Sequence, residues 1–321
     1  MKAVTFGECL FRLVTHQGER LSQADELNFY LGGTELNIAA NLSSLGVPAT
    51  WVSSVCDGAT GDMIRGRIQQ LNVDFSQVDT IKGGRPGWYL METGNSPRPD
   101  KVFNRSASSL ADKKDFSYDW NKILTGASLF HTSGVTAGLS TELTAEVKKA
   151  MMTAREMKIP VSYDFNYRKN IWSIEEFVKR QKDLLPLIDI LFCADSDINL
   201  FFGKRSDEAD YSSVFTSTSL KTLVLTRRSN DESEYGIDVV SNNKSWSSRR
   251  HKVNSIDRIG VGDSMAAGFI KSYLSGNPES DHADWAALAG VLKYGIKGDM
   301  ALLKSSEMEA LLTGGTRGID R

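Results

Sequence analysis

Short apolar runs alternate along the chain with longer stretches in which apolar residues recur about three and four positions apart. That rhythm predicts βα units and a mostly parallel sheet. Ala3 to Phe6, Thr50 to Val55, Ser128 to Thr132, Val161 to Asp164, Ile188 to Cys193 and Thr222 to Thr226 read as buried strands. Between them, Glu35 to Leu45, Gly61 to Leu71, Thr141 to Met157, Ile174 to Leu185 and Ser264 to Ser275 carry the helical period. Gly46 and Asn72 stand where the first two of these helices are expected to stop. The expected fold is an α/β domain spanning 1–321, with helices layered on both faces of one sheet.

Two stretches break this rhythm. Residues 13–31 and 87–105 alternate apolar and polar positions with the period of a strand. In the second, Trp88, Leu90 and Glu92 face one side and Tyr89, Met91 and Thr93 the other. A turn at Asn95-Ser96-Pro97-Arg98-Pro99 then returns the chain through Lys101 to Arg105. The pattern predicts a small antiparallel β appendage, which is either a lid that keeps water from group-transfer chemistry or an ordinary edge hairpin. Arg227 to Glu234 reads as a polar loop.

Composition narrows the function. A chain of 321 residues, 40% of them hydrophobic, can bury a large core. With 38 basic and 40 acidic side chains the net charge is -2, so no bulk field favours nucleic acid or an anionic membrane surface. Any anionic ligand must be met by local geometry, through backbone N–H groups and a few placed arginines. Cys9, Cys56 and Cys193 are odd in number and widely spaced, which suits free thiols in a reducing cytoplasm. His16, His131, His251 and His282 share no ligand-like spacing, so a zinc site is not expected. No run of about 18 apolar residues suggests a membrane span, and the first residues run straight into a strand rather than a signal-peptide core.

The most informative segment is Asp257-Arg258-Ile259-Gly260-Val261-Gly262-Asp263, followed by Ser264-Met265-Ala266-Ala267-Gly268. A loop with two glycines opens a helix whose small residues allow close packing. The loop amides and the positive helix end form an anion hole suited to a phosphoryl group in transfer. Asp263, in the first turn, is the candidate base for an alcohol proton. Taken alone, the segment also fits a tight turn with Asp263 or Ser264 as N-cap. A Gly-x-Gly-x-x-Gly fingerprint early in the chain and a Gly-x-x-x-x-Gly-Lys-Ser/Thr loop are both absent, which disfavours those nucleotide folds. A second pair, Gly32-Gly33, enters a helix bearing Asn37, whose amide can serve sugar hydroxyls; Thr34 and Glu35 there also fit a capping role.

Gly32-Gly33-x-x-x-Asn37 together with Asp257-x-x-Gly260-x-Gly262-Asp263 resembles the two signatures of the ribokinase-like (PfkB) carbohydrate kinases, over essentially the whole chain. Gly87-Trp88-Tyr89-Leu90, Lys101 to Ser109, Asp164-Phe165-Asn166-Tyr167-Arg168 with Trp172-Ser173, and Leu292 to Asp299 are similar to the 2-keto-3-deoxygluconate kinase branch. The resemblance implies a three-layer αβα domain with a β lid, and ATP-dependent phosphorylation, with Mg2+, of a sugar acid at its primary hydroxyl to give the 6-phosphate. It implies substrate contacts from Gly33, Asn37, Tyr89, Phe103, Asn104, Arg105, Arg168, Asp263 and Asp299, with Arg105 and Arg168 as carboxylate-binding types. Catalysis falls to Asp263 with the amides of Gly260, Val261 and Gly262, which also face the nucleotide along with Thr226 and Arg228. Asp197 is the implied metal contact, through water.

Three departures stand out. Val261 replaces the alanine or glycine usual between the anion-hole glycines, Ala194-Asp195-Ser196-Asp197 replaces an Asn-x-x-Glu element, and Thr226-Arg227-Arg228-Ser229 stands where Thr-x-Gly is usual. They bear on metal dependence and turnover rather than fold. A fructokinase-like or ribokinase-like activity on a neutral sugar, and a non-catalytic sugar-acid sensor, are the alternatives. An apolar lid face of Trp88, Leu90 and Val102 suggests a homodimer or larger assembly through the lid.

Overall fold

The computed structural model describes residues 1–94, 98–169, 171–202, 211, 214–215, 218–229, 233–241 and 244–314, the side chains of 195, 196, 199 and 200 apart. The chain runs through β1 (Ala3–Phe6), β2 (Leu10–Val14), β3 (Asn28–Gly32), α1 (Thr34–Ser44), β4 (Ala49–Cys56), α2 (Gly58–Gln70), β5 (Val78–Ile81), β6 (Gly87–Glu92) and β7 (Lys101–Ser106). Then come α3 (Ser109–Asp112), α4 (Trp120–Leu124), β8 (Leu129–Ser133), α5 (Gly134–Gly138), α6 (Thr141–Glu156), β9 (Val161–Asp164), α7 (Ile174–Leu184), β10 (Ile190–Ala194) and α8 (Asp195–Phe202). The last part holds β11 (Thr222–Arg228), β12 (Glu234–Ser241), β13 (Lys244–Ser247), β14 (His251–Lys252), α9 (Val261–Leu274), α10 (Glu279–Tyr294) and α11 (Ser305–Leu312).

The main sheet has the order β13-β12-β11-β10-β9-β8-β1-β4-β5, with β14 paired to β12. From β11 to β5 every neighbouring pair is parallel, and β12 closes that edge antiparallel. Because successive strand residues point to opposite faces, each strand feeds both helix layers. Ile190 and Phe192 pack under α1, α9 and α10, whereas Leu191 and Cys193 pack under α6 and α7. All three cysteines are free and buried. No helix among the described residues is long and apolar enough to cross a membrane.

The small sheet has the order β3-β2-β6-β7. Its two hairpins are antiparallel, and β2 and β6 join them in parallel. It begins at Leu10, three residues before the stretch marked by alternation. Phe11 and Leu31 sink into the main core with Phe29 and Trp88 against them. The expected exposed face of Trp88, Leu90 and Val102 is therefore smaller, because Trp88 packs inward while Val102 and Phe103 remain exposed. On the opposite face, Arg12 pairs in register with Tyr30 and Tyr89, and Tyr89 with Arg105.

Arg227 and Arg228 extend β11 and Glu234 opens β12, so the loop between them is shorter than expected; 230–232 and the turn residues 95–97 lie outside the described residues. The small residues of α9 do bring a neighbour close. A Cβ at Gly268 would lie 2.6 Å from the Trp285 carbonyl oxygen of α10. Gly268→Val is expected to destabilise the protein by about 1–3 kcal/mol through overpacking, read as a lowered Tm; an unchanged Tm would contradict so tight a crossing.

Candidate active site

The site forms where the carboxyl ends of β1, β8, β9 and β10 meet the amino ends of α1 and α9, the usual place for ligands in an open parallel sheet. Gly33 precedes α1 at φ 143°, and a Cβ there would strike the Glu8 carbonyl oxygen beyond the end of β1. Gly260 caps α9 at φ 84°, where a Cβ would collide with the Asp299 carbonyl oxygen. Both positions need glycine for conformation and clearance alike. The helix starts at Val261, so neither Asp263 nor Ser264 is the N-cap. Thr34 and Glu35 do not cap α1 either: Thr34 accepts from the Asn166 side chain, and Glu35 turns inward.

Asp263 lies in the first turn of α9, buried, with Oδ2 accepting a hydrogen bond from Asn37 Nδ2 at 2.6 Å. The contact places the two glycine motifs on one carboxylate. Burial pushes the Asp263 carboxyl up to about 6, while the Asn37 bond and the charges of Arg168 and Lys293 pull it down. Asn37 Oδ1 is buried with no hydrogen-bond partner among the described residues, a vacant acceptor for a hydroxyl. The Val261 amide donates to the Arg258 carbonyl at 3.4 Å, and Gly262 and Asp263 follow it in the first turn of the helix. Val261 itself is buried in the core cluster, and its branched side chain does not fill the site.

Further acids crowd this floor. Glu35 Oε1 accepts from Ser133 Oγ at 2.6 Å and Thr136 Oγ1 at 2.7 Å; burial carries its carboxyl to about 7. Asp164, ending β9, is pushed to about 8 by burial and then by the charges of Asp263 and Asp197. Asp197 accepts from the Ala194 amide at 3.4 Å; the side chains of Asp195 and Ser196 lie outside the described residues. This excess of negative charge fits a divalent cation arriving with a triphosphate. No group of three or more metal-ligand side chains converges among the described residues, so such an ion would be shared with phosphate oxygens and water.

The other expected residues divide. Tyr89 is half-buried within reach of the charges of Asp299, Arg12, Asp257 and Arg168, and desolvation drives its phenol well above the ordinary range. Arg168 is exposed, with its charge reaching Asp263, Asp164 and Tyr89. Arg105 is ion-paired to the buried Glu8, which also accepts from Ser108 Oγ at 2.7 Å; its guanidinium is aimed by protein before any ligand arrives. Phe103 and Asn104 are exposed at a register shift between β6 and β7 and are not drawn into the buried cluster. Asp299, expected at the substrate, is buried beside Arg12, whose Nε lies 2.8 Å from Oδ1. Thr226 is half-buried and Arg228 exposed near the end of β11, the next strand after β10.

Sequence reasoning missed Glu8, Arg12, Glu35, Asp164 as an acid, and Lys293. Arg12 forks onto Asp257 with distances of 3.1 and 2.6 Å, and Lys293 is fully buried, donating to the carbonyls of Asp257 and Ile296. An arginine inside a strand otherwise apolar on that face was the available signal. A cleft of about 620 Å³ opens beside the Arg12–Asp257 pair, between the small sheet and residues 253–258. Asp263 does not line it, so the chemistry is placed by the helix ends rather than by that volume.

The family model for pfkB family carbohydrate kinases matches residues 1–304. The chain belongs to that family. It is 30% identical over 322 residues to a 2-dehydro-3-deoxygalactonokinase of Haloferax volcanii, covering 99% of this chain and 98% of that protein. It is 25% identical over 326 residues to a fructokinase-2 of Solanum habrochaites, covering 97% and 96%. Among solved structures, a 2-dehydro-3-deoxygluconokinase of Thermotoga maritima superposes with TM-score 0.91 at 33% identity, covering 98% of this chain and 100% of that one.

A base works only when deprotonated, so with Asp263 in that role, as expected from the sequence, carbohydrate kinase activity should climb with pH and level off above an apparent pKa of about 6. Asn37→Ala removes a bond that holds this carboxyl down and is expected to move the acid limb of kcat/KM to higher pH. An unmoved limb would separate the limb from Asp263.

Proposed function

We propose that the protein transfers the γ-phosphoryl group of ATP to the primary hydroxyl of a 2-keto-3-deoxy sugar acid, with 2-keto-3-deoxygluconate giving its 6-phosphate. The observation that carries this reading is the Asp263 carboxylate, gripped by Asn37 at the start of α9 with the Arg168 charge in reach. The hydroxyl oxygen attacks the γ-phosphorus as its proton passes to Asp263. The bond from γ-phosphorus to the bridging oxygen breaks, and its electrons leave with ADP. The amides of Gly262 and Asp263, at the positive end of α9, offset charge on the phosphoryl group in flight. Mg2+ supplied with ATP neutralises phosphate charge, and Asp164 and Asp197 are the acids that would hold it. Thr226 and Arg228 stand on the nucleotide side.

Arg168, whose charge reaches Asp263, favours a carboxylate-bearing substrate, since a neutral sugar gives no reason for a guanidinium beside the base; Arg105, held by Glu8, is the second guanidinium of that reading. The names of the Haloferax and Thermotoga relatives support the same class. The fructokinase relative supports a second reading, a neutral ketose. In this scheme the small sheet acts as a lid over the sugar, and 1–321 forms one domain with that lid inserted.

ADP release measured over a panel of sugar acids and ketoses separates these. We expect turnover on 2-keto-3-deoxygluconate or its galactonate epimer, no turnover with Asp263→Asn, and a KM for the acid raised about tenfold or more by Arg168→Ala, the loss of one charge-assisted contact. Turnover confined to fructose or ribose would establish the neutral-sugar reading. Silence across the panel alongside thermal stabilisation by a sugar acid would mark a sensor.

A further inference from the structure

Arg12 lies on β2 of the small sheet with its side chain 1% exposed, and the reaction just described gives it no task. Its guanidinium forks onto both carboxylate oxygens of Asp257, and its Nε faces Asp299. The ring of Tyr30, from β3, lies 4.7 Å from the same group. Asp257 begins the loop that ends in the anion-hole amides, and it is held from several sides. Its carboxylate accepts from the amides of Ile259 and Gly298, each at 3.0 Å. Its carbonyl accepts from Lys293 Nζ at 3.2 Å. Asp299, the second partner of Arg12, sets its carbonyl hard against Gly260.

Lys293 and Gly298 belong to α10 and the turn after it, the same body as the loop. Among the described partners of the Asp257 side chain, Arg12 is the contribution of the small sheet. A buried ion pair is a poor source of net stability, because desolvation offsets most of the attraction. What a two-pronged guanidinium does supply is fixed geometry. The same face of the small sheet carries Tyr89 and Arg105, in register beside Arg12.

We propose that Arg12 is a positioning residue that ties the anion-hole loop to the small sheet, so that the amides near Gly262 take their transfer geometry only when that sheet is seated over the sugar. This rests on the kinase reading for its effect on rate, and on the contacts alone for its effect on the loop. Misplacement by a fraction of an ångström at a transfer site costs rate more than binding.

Arg12→Lys keeps the charge opposite Asp257 and Asp299 but loses the fork. We expect kcat on 2-keto-3-deoxygluconate to fall about tenfold or more while KM and the Kd of the sugar by calorimetry stay within about threefold. Hydrogen exchange at the amides of 257–262 should quicken in the variant without any ligand, with the main-sheet strands unchanged. Combining Arg12→Lys with Asp257→Asn should cost no more than the worse single change, because both cut one connection. Unchanged kcat with unchanged loop exchange, a loss lying wholly in KM, or losses that multiply would each overturn the proposal. If the wild type turns over nothing in the panel, the kinase reading fails, and the exchange comparison alone decides the tie. Should Arg12→Lys not fold, exchange in the wild type with and without 2-keto-3-deoxygluconate decides: protection reaching 257–262 supports the tie, and protection confined to the small sheet, or none, refutes it.

Discussion

The bond between Asn37 and Asp263 is the contact on which the rest of the site depends. It joins side chains 226 residues apart, each in the first turn of a helix entered through glycine. Two helix amino ends therefore converge on one carboxylate, and their dipoles favour its ionised form against the burial that opposes it. The main sheet sets the distance between those helices, since α1 and α9 pack on the same face of it. A carboxylate left ionisable and an Asn37 amide oxygen without a partner among the described residues are both consequences of that convergence.

The parallel core was legible because strands buried on both faces read as continuous apolar runs, and Val161 to Asp164 appears in the structure with the expected bounds. α10 was not, although the segment Leu292 to Asp299, which overlaps its last turn, carries part of the resemblance. Its middle, Trp285-Ala286-Ala287-Leu288-Ala289-Gly290, is apolar on nearly every side because it is buried nearly throughout, and a helix without a polar face has no period to detect. The β6–β7 pairing illustrates a second limit. A register shift of one residue at Phe103 and Asn104 leaves the alternation of types almost intact while changing which side chains meet.

Buried charges were the least legible of all. Glu35 beside a glycine pair reads as a capping residue, and only the arrival of Ser133 and Thr136 from β8 and α5 explains its burial. Arg12 finds Asp257 across 245 residues, a pairing no local pattern encodes. Asp299 was placed near the pocket by resemblance, and it is near. Its carboxylate also lies against the Arg12 guanidinium, a neighbour the resemblance did not name.

Electrostatics connect these observations to the order of events at the site. The net charge of the chain is close to zero, but the floor of the pocket is acidic, with Asp263 raised to about 6, Asp299 and Glu35 to about 7, and Asp164 to about 8. Near neutral pH several of these groups hold a shared, partial complement of protons rather than full charge. A bare triphosphate would meet repulsion there. In the proposed reaction a divalent cation bound with the triphosphate would offset that repulsion and favour the ionised form of Asp164. Such a cation would also favour the ionised form of Asp263, the base of the proposed transfer. The same acidity that hinders an unaccompanied anion thus prepares the base once the cation is present, and a few well-placed groups accomplish this without any bulk positive charge on the protein.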